Sequence, residues 1–490
     1  MQRAQSTARR EQPDQRIGWR HLPGAGVNII LAILAGIFAG LTFPPFEWWP
    51  LAWVALVPLF IALRRTSAVR AAGYLALLFG LALCAVSLQW LAVIFKASVL
   101  GVFVIIALPW YLFGLAYRTL IGRSPWWAIL AMTPILWVAV EWLRCEWWYF
   151  RFSWLQLGFT QIPWRDAAIS LYPRLGVYGI TFLILLVNVA LACALTKRDW
   201  RPLLAICAVA GGLALWLLQP PATPPDQQRP CDAVIVQDEA SALDDLLRLS
   251  RMALTPATRL VVWPEYALPL YLQEEAFARR DLQTIQDFAR ANRCTLIFGT
   301  KKRAPDTAPC DWLRRRSMRV TADGLFYNIA LVIGPDGALL GEYAKTHPIQ
   351  FFSDGVPGRV YPAIPTPAGR LGIAICYDFD YAHTTLRLVH HGAEMLVVPT
   401  FDEVTWGATQ HSQHTRMAQA RAAEVGRCTL RATSSGISQI LTPDGQPVAA
   451  IPDGESAAVS GAYWGQSTRT PYVNVSPICA SASARCGRSG

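Results

Sequence analysis

The stretch "GIAICYDFDY", residues 372 to 381, carries an apolar run directly into a polar turn. A short continuous apolar run is typical of a strand that is covered on both faces. Cys376 follows this run, and a free cysteine in such a place is usually a small core side chain. The end of a strand is also the position from which a sheet presents a catalytic group. The rest of the chain must therefore decide whether Cys376 is a core thiol or a nucleophile.

Similar runs recur through the second half of the chain and predict a sheet-rich domain. We expect strands at 232–237, 259–265, 295–300, 371–377, 394–400 and 428–433. The segments "LVIGPDGALLGEY" and "QILTPDGQPVAAI" each place P-D-G between two strand-like runs, which predicts hairpins. Helical patterns occupy about 272–291 and 409–426. Residues 231–465 are thus predicted to form an α/β domain whose sheets are sandwiched between helices.

The chain is unusually apolar, and long uncharged runs are concentrated in its first half. Only 16% of the 490 residues are charged, against about 25% in ordinary soluble proteins. Seven segments are candidate membrane-spanning helices, at 27–43, 51–63, 71–95, 98–117, 126–143, 176–195 and 203–218. We therefore predict a helical membrane domain at 27–218, after an N-terminal segment at 1–26. A Pro-rich linker at 219–230 precedes the α/β domain, and the tail at 466–490 is too polar to span a bilayer.

Basic residues predict the orientation, because Lys and Arg accumulate in cytoplasmic loops. They cluster before segment one and after segments two, four and six. The loop 144–175 is also basic, but its length and its tryptophans indicate a folded element on the outer surface. With an internal N-terminus, an odd number of crossings puts the α/β domain on the far side of the membrane. The net charge of +11 is then mostly a topology signal, and no nucleic-acid partner is expected.

The cysteines give no sign of a metal centre. The chain has 11 of them, without C-x-x-C spacing or a zinc-type Cys/His cluster. We expect neither a metal nor a diffusible cofactor.

Three reactive residues follow apolar runs: Glu265 in "VVWPEYALP", Lys345 in "LLGEYAKTH" and Cys376. A carboxylate can accept a thiol proton, and an ammonium can stabilise a thiolate and an oxyanion while the thiolate attacks an acyl carbon. Each residue alone is more often structural. If they act together, their reacting atoms should converge within about 3 to 5 Å. The lysine is also expected to lower the pKa of the thiol.

The order Glu, Lys, Cys in these contexts resembles the nitrilase superfamily, which has an αββα sandwich and forms thioesters. In the membrane half, "FPPFEWWPLAWVALVPL" (43–59), "EWLRCEWWYFRFSWLQLGFTQ" (141–161) and "GVYGITFLILLVNVALA" (176–192) resemble the apolipoprotein N-acyltransferases. The resemblance implies a bacterial inner-membrane enzyme with a periplasmic catalytic domain. Its substrates would be a membrane phospholipid, as acyl donor, and an apolipoprotein, as acceptor.

The resemblance also implies roles for individual residues. Cys376 would carry the acyl chain, Glu265 would be the base and Lys345 would stabilise the oxyanion. Supporting or substrate-binding positions would be Tyr377, Asp378, Asn328 and Trp406. The family usually has a second functional glutamate where this chain has Ser353, with Asp354 beside it. Two alternatives remain open: a membrane-tethered amidase that transfers the acyl group to water, and a catalytically decayed scaffold that binds lipoproteins.

Overall fold

The computed structural model describes residues 24–147, 150–197, 199–217, 230–240, 242–269, 271, 276–304, 325–350 and 352–476. The predicted N-terminal segment up to residue 23, the linker from 218 to 229 and the tail beyond residue 476 lie outside the described residues.

The membrane half is helical at each of the seven predicted segments. Its helices are α1 (Ala25–Gly40), α2 (Val57–Arg65), α3 (Val69–Ser87), α4 (Leu91–Phe95), α5 (Val99–Ala116), α6 (Trp126–Trp142), α7 (Arg165–Ser170), α8 (Tyr172–Lys197) and α9 (Arg201–Leu217). Among the described residues, four helical stretches are long and apolar enough to cross a membrane: Val69–Ser87, Leu91–Ile121, Trp126–Trp147 and Tyr172–Thr196. Large apolar side chains such as Leu100 and Ile135 point outward and are more than half exposed, as expected beside lipid. The number of crossings stays a prediction.

Two predicted segments are less continuous than expected. Residues 51–63 divide into a short 3-10 helix at Trp49–Trp53 and α2, because a proline stands in the first turn of each element. At about 14 Å, the nine residues of α2 are far shorter than a bilayer core of about 30 Å. The segment 71–95 breaks after Ser87, where the side chain of Gln413 from the second domain donates to the Ser87 carbonyl at 2.8 Å.

The second domain contains two six-stranded sheets. The first has the order β12-β1-β2-β3-β4-β5, and the second has the order β11-β10-β9-β8-β7-β6. The strands are β1 (Cys231–Gln237), β2 (Thr258–Val262), β3 (Thr295–Arg303), β4 (Phe326–Ile333), β5 (Leu339–Ala344), β6 (Ala363–Thr366), β7 (Gly369–Ile373), β8 (Met395–Thr400), β9 (Thr429–Thr433), β10 (Ser438–Leu441), β11 (Pro447–Ile451) and β12 (Ala457–Tyr463). The pairs β1/β2, β2/β3, β7/β8 and β8/β9 are parallel. Both predicted P-D-G hairpins are present, as β4/β5 and β10/β11.

Helices cover the outer faces of both sheets. They are α10 (Leu243–Ala253), α11 (Ala276–Asn292), α12 (Ala382–His390), α13 (Gly407–Val425) and α14 (Pro471–Val475). One apolar core fills the space between the sheets, with Val262 and Ile297 facing Ile373 and Val397. A second core joins the first sheet to α10 and α11, and a third joins the second sheet to α12 and α13. These layers confirm the predicted αββα sandwich.

Helix α13 fixes the sandwich against the membrane half. Besides its bond to Ser87, Gln413 donates to the Pro44 carbonyl at 2.9 Å and accepts from the Trp90 indole at 3.2 Å. Near the other end of α13, a carboxylate oxygen of Glu424 accepts the backbone N–H of Val177 in α8 at 2.6 Å. Because these groups are buried, the two halves are held in one fixed relation. The second domain therefore keeps one face against the membrane helices.

Candidate active site

Glu265, Lys345 and Cys376 all lie just beyond the carboxyl ends of strands. Glu265 is three residues past β2, Lys345 directly follows β5, and Cys376 is three residues past β7. These strands belong to both sheets, so the site lies at the carboxyl ends of strands from each of them. All three side chains are almost completely buried. The structure pairs Lys345 directly with Glu265, and the convergence of the Cys376 sulfur with them stays a prediction.

Cys376 occupies a strained backbone position. Its φ is +48°, in the left-handed region that non-glycine residues rarely adopt. The residue begins the 3-10 turn Cys376–Asp380, which turns the chain away from the sheet immediately after β7. Such strain is typical of functional sites. There it can turn a side chain in a direction that an unstrained strand end would not give it. The geometry favours a presented thiol over an ordinary core cysteine.

Lys345 lies between two carboxylates. Its Nζ is 2.8 Å from Oε1 of Glu265 and 2.7 Å from Oδ2 of Asp354. The side-chain amide of Asn328 donates to the same two carboxylates, at 2.6 Å to Glu265 and 2.9 Å to Asp354. Tyr266 adds a bond from its hydroxyl to Asp354 at 2.8 Å. Each buried charge therefore has a charged or hydrogen-bonded partner, as burial requires.

Asp354 is the principal residue of this group that sequence reasoning missed. The resemblance placed Ser353 where a second functional glutamate was expected. In the structure it is the neighbouring Asp354 that contacts Lys345. The backbone N–H of Ile349 donates to Asp354 at 2.8 Å and helps to hold it. The sequence signal for this residue was the acidic Asp354 directly after Ser353. Which of two neighbouring loop residues reaches a site depends on the path of the loop, and the sequence does not give that path.

The backbone of Phe401 connects the carboxylate to the thiol. Its N–H donates to Oε2 of Glu265 at 2.8 Å, and its carbonyl accepts from the Cys376 thiol at 3.7 Å, a sulfur-donor distance. Phe401 follows β8, the strand next to β7. Glu265 and Cys376 therefore contact opposite sides of the same peptide residue, Phe401.

A glycine permits the close approach of the Glu265 loop. A Cβ on Gly299, in β3, would lie 2.5 Å from the backbone N of Tyr266 and 2.6 Å from Cα of Glu265. These distances are below any ordinary van der Waals contact, so a larger residue would displace the loop. The glycine in "TLIFGT" thus sets the position of Glu265.

The protonation of the site differs from expectation. Burial, together with the nearby charge of Glu265, raises the pKa of the Cys376 thiol well above its usual value, and Lys345 only partly opposes this effect. Lys345 lowers this pKa as expected, but burial and the charge of Glu265 outweigh its effect, so the expectation of a lowered thiol pKa is wrong. Burial likewise raises the pKa of Glu265, although Lys345 opposes the shift. The resting thiol is therefore protonated, and a base must remove its proton during attack.

Asp378 joins the loop of Lys345 to the turn of Cys376. Its carboxylate is fully buried and accepts the backbone N–H groups of Thr346 at 3.0 Å and His347 at 2.6 Å. It also accepts the Ile375 N–H at 3.2 Å. Burial would raise the pKa of Asp378, but the side-chain hydrogen bond from His347, the charge of Lys345 and the hydroxyl of Thr346 lower it. Asp378 thus fixes the spacing between the ammonium and the thiol.

A large apolar cavity begins at Cys376. Its open volume, which includes the solvent space at its mouth, is about 900 Å³. Its walls combine residues of the membrane helices, such as Trp90, Ile94 and Ile106, with residues of the sandwich. Trp406, the predicted entrance residue, is one of the wall residues and packs against Phe352 at a ring distance of 6.1 Å.

A buried ionic network borders the same cavity and was not predicted. Nδ1 of His414 lies 2.8 Å from Asp402, and its Nε2 lies 3.2 Å from Asp380. Arg431 pairs with the other oxygen of Asp402 at 2.5 Å. The two carboxylates outweigh burial and raise the pKa of His414 to about 9. Asp402 comes two residues after β8, so the strand-end rule that found Glu265 would also have found Asp402.

Cys376, Asp402 and His414 offer ligand atoms within 4.8 Å of one another, a spacing that a metal could bridge. Both imidazole nitrogens already face carboxylates, and Arg431 already pairs with Asp402. The group therefore fits a hydrogen-bonded ionic network better than a metal centre.

Comparison with known proteins accords with this architecture. Residues 227–469 match the carbon-nitrogen hydrolase family model, and residues 35–190 match the model of the apolipoprotein N-acyltransferase N-terminal domain. The chain thus combines a carbon-nitrogen hydrolase domain with a membrane domain of one particular kind.

Its relatives include the apolipoprotein N-acyltransferase of Photobacterium profundum, which is 26% identical over 91% of each chain. The enzyme of the same name from Geobacter metallireducens is 27% identical over 89% of each chain. A solved carbon-nitrogen hydrolase from Helicobacter pylori aligns with 48% of this chain and 88% of its own, at 19% identity and a TM-score of 0.39. The chain belongs to the apolipoprotein N-acyltransferase family within the nitrilase superfamily, and is an acyltransferase.

Proposed function

We propose that this protein N-acylates lipoproteins through a thioester on Cys376. It takes an acyl chain from a membrane phospholipid and transfers it to the free α-amino group of a diacylglyceryl-cysteine apolipoprotein. The observation that carries this proposal is the apolar cavity that leads from Cys376 to the membrane helices. A lipid acyl chain suits such walls, whereas a small polar amide would gain little from them.

In the first half-reaction, Glu265 accepts the thiol proton while the sulfur attacks the ester carbonyl of the phospholipid. Negative charge develops on the carbonyl oxygen, where the ammonium of Lys345 stabilises it. The ester C–O bond then breaks, and the proton held by Glu265 passes to the departing lysophospholipid oxygen. Cys376 is left as an acyl thioester.

In the second half-reaction, the lipoprotein amine attacks the thioester and gives its proton to Glu265. The C–S bond breaks, an amide forms and the thiol recovers its proton from Glu265. Asp354 and Asn328 hold Lys345 and Glu265 in place throughout, through the contacts of 2.6 to 2.9 Å described above. Tyr377 and Asp378 shape the pocket around the thiol, and Trp406 lines the lipid entrance.

The two alternatives have less support. An amidase requires water at the thioester, but the cavity beside Cys376 is lined mainly by apolar side chains. A decayed scaffold would not need the buried Lys345 with both of its carboxylate partners, since burying charge without a function is costly.

The basic loops and the family membership support a location in the bacterial inner membrane, with the sandwich on the periplasmic side. Four long apolar helices support a multi-pass membrane protein.

Mass spectrometry provides the direct test. Purified protein with phospholipid alone should gain one acyl mass on Cys376, and adding a diacylglyceryl lipopeptide should move that mass to the peptide's N-terminus. Cells lacking the protein should accumulate lipoproteins with free α-amino groups. Hydrolysis to free fatty acid with the lipopeptide unmodified would support the amidase instead.

A further inference from the structure

A second, polar cavity adjoins the apolar one. It measures about 390 Å³, and its walls include the side chains of Arg151, Thr346, His347 and Tyr381. Two further side chains, Gln350 and Tyr377, line both cavities, and so does Arg151. The two cavities therefore meet at these three residues, close to the thiol that opens into the apolar cavity.

Arg151 brings a positive charge to the wall that the two cavities share. Among the residues that the structure describes, no carboxylate lies within 4 Å of its guanidinium and no hydrogen bond leaves it. Its side chain lies over the ring of Tyr381 at 5.9 Å, and its backbone carbonyl accepts from the Tyr377 hydroxyl at 3.1 Å. The backbone is thus held in place, while the five N–H donors of the side chain remain available.

Two buried acids in this region, Asp378 and Asp380, have partners of their own. Asp378 lies behind the wall of the polar cavity and already accepts N–H groups from Thr346 and His347. Asp380 faces His414 at 3.2 Å and the Trp154 indole at 3.1 Å. His347 is uncharged at neutral pH, because burial lowers its pKa to about 4. Among the described residues of this cavity wall, Arg151 therefore supplies the positively charged hydrogen-bond donors.

An available arginine fork in a half-buried cavity is the usual partner of a phosphate or carboxylate group. If a phospholipid ester lies at Cys376 with its chain in the apolar cavity, the glycerol places a phosphodiester a few bonds away. The acceptor's diacylglyceryl-cysteine carries no phosphate. The donor lipid therefore supplies the anion that belongs at this junction.

We propose that the polar cavity binds the phosphate of the donor phospholipid, with Arg151 as the main ligand and with Gln350 and Tyr377 beside it. This inference rests on the proposed function, and it assigns Arg151 a part in donor binding and no part in the chemistry. It predicts selectivity for acyl donors that carry a headgroup phosphate over uncharged esters of the same chain.

The test compares two acyl donors in detergent micelles, namely phosphatidylglycerol and the uncharged ester p-nitrophenyl palmitate. The rate of thioester formation on Cys376, followed by intact mass, is measured against donor concentration. For Arg151→Gln we expect KM for phosphatidylglycerol to rise about tenfold or more, the usual worth of a charge-assisted hydrogen bond. The rate with the uncharged ester should stay within about twofold of the parent's, and Arg151→Lys should fall between.

Arg165→Gln is the matched control, because Arg165 is an exposed arginine at the start of α7, in the same segment between membrane helices, and lines neither cavity. It should behave as the parent with both donors. Equal losses by Arg151→Gln with both donors would overturn the proposal in favour of a purely structural arginine. No loss with either donor would overturn it as well.

Two further outcomes separate this inference from others. Inorganic phosphate at constant ionic strength should leave the parent's KM for phosphatidylglycerol unchanged, and strong competition would show a site for free phosphate instead. A parent protein that forms no thioester with either donor would refute the proposed function itself. A parent that reacts with both donors while Arg151→Gln shows no discrimination would refute only the phosphate site.

Discussion

Nζ of Lys345 lies 2.7 Å from Oδ2 of Asp354, although Asp354 stands one residue beyond the position at which the family usually has its second glutamate. The shorter aspartate reaches the ammonium because Ile349 N–H and Tyr266 OH hold its two oxygens. Ser353 makes no comparable contact with Lys345 among the described residues. Asp354, and not Ser353, thus supplies the second carboxylate beside Lys345.

Replacing this carboxylate should therefore impair thioester formation. We expect Asp354→Asn to slow the loading of Cys376 about 100-fold, because Lys345 loses the partner that holds it against Glu265. Ser353→Ala should stay near the parent rate. Loading is measured by intact mass, normalised to folded protein. A large loss in Ser353→Ala with little in Asp354→Asn would contradict the assignment.

Cys376→Ser should remain folded in the membrane but form no acyl adduct. A hydroxyl matches the thiol in shape, yet its proton is held far more strongly and no thioester can form. We expect normal membrane abundance and no transfer to lipopeptide. Peptide mapping after incubation with phospholipid should locate the adduct of the parent protein on Cys376. A serine variant that still acylates lipopeptide near the parent rate would show that Cys376 is only a core residue.

Glu265→Gln should slow thioester formation by about 100-fold to 10,000-fold, the usual contribution of a general base. In the parent, the rate should fall as pH falls through the pKa of Glu265, because only the carboxylate accepts the thiol proton. Burial raises this pKa, so the acidic limb should lie above the ordinary value of 4.5. The limb should be absent from the residual rate of Glu265→Gln. An identical acidic limb in both proteins would show that a residue other than Glu265 is the base.

The pairing of His414 with Asp402 and Asp380 should make the stability of the folded protein depend on pH. The folded protein raises the pKa of His414 from 6.5 to about 9, so the stabilisation is complete below about pH 6.5 and is lost as pH rises through 9. Its size is on the order of 3 kcal/mol. Thermal unfolding in detergent should show a gap between the parent and His414→Gln that is widest near pH 6 and narrows by pH 10. A stability difference that does not change with pH would show that His414 is not charged in the folded protein.

The orientation can be checked with reporter fusions. Basic residues follow segments two, four and six and precede segment one, so a reporter near residue 67 should be cytoplasmic. A reporter fused after residue 230 should be periplasmic. Activity of both reporters on one side of the membrane would refute the predicted topology.

The sequence by itself determined the architecture. Continuous apolar runs at β1, β2, β7 and β8 mark strands covered on both faces, and the two P-D-G turns mark hairpins, because these features are local in the chain. Strand β12 was not predicted, since its run of small residues, "AAVSGAY", lacks the branched and aromatic side chains that mark a strand. Its pairing with β1 is made by the sheet edge and not by local preference.

The same reasoning selected Glu265, Lys345 and Cys376 as candidates, because functional groups often follow strands and a strand end is visible in sequence. Only the tertiary structure decided which groups share the pocket. Asp354 and Asp402 lie in loops whose paths depend on contacts distant in sequence, and Arg151 reaches the site from the membrane half. Charge balance in a buried site is a sum over all groups that meet there, so the raised pKa of the Cys376 thiol followed from the fold and could not be deduced from any one segment.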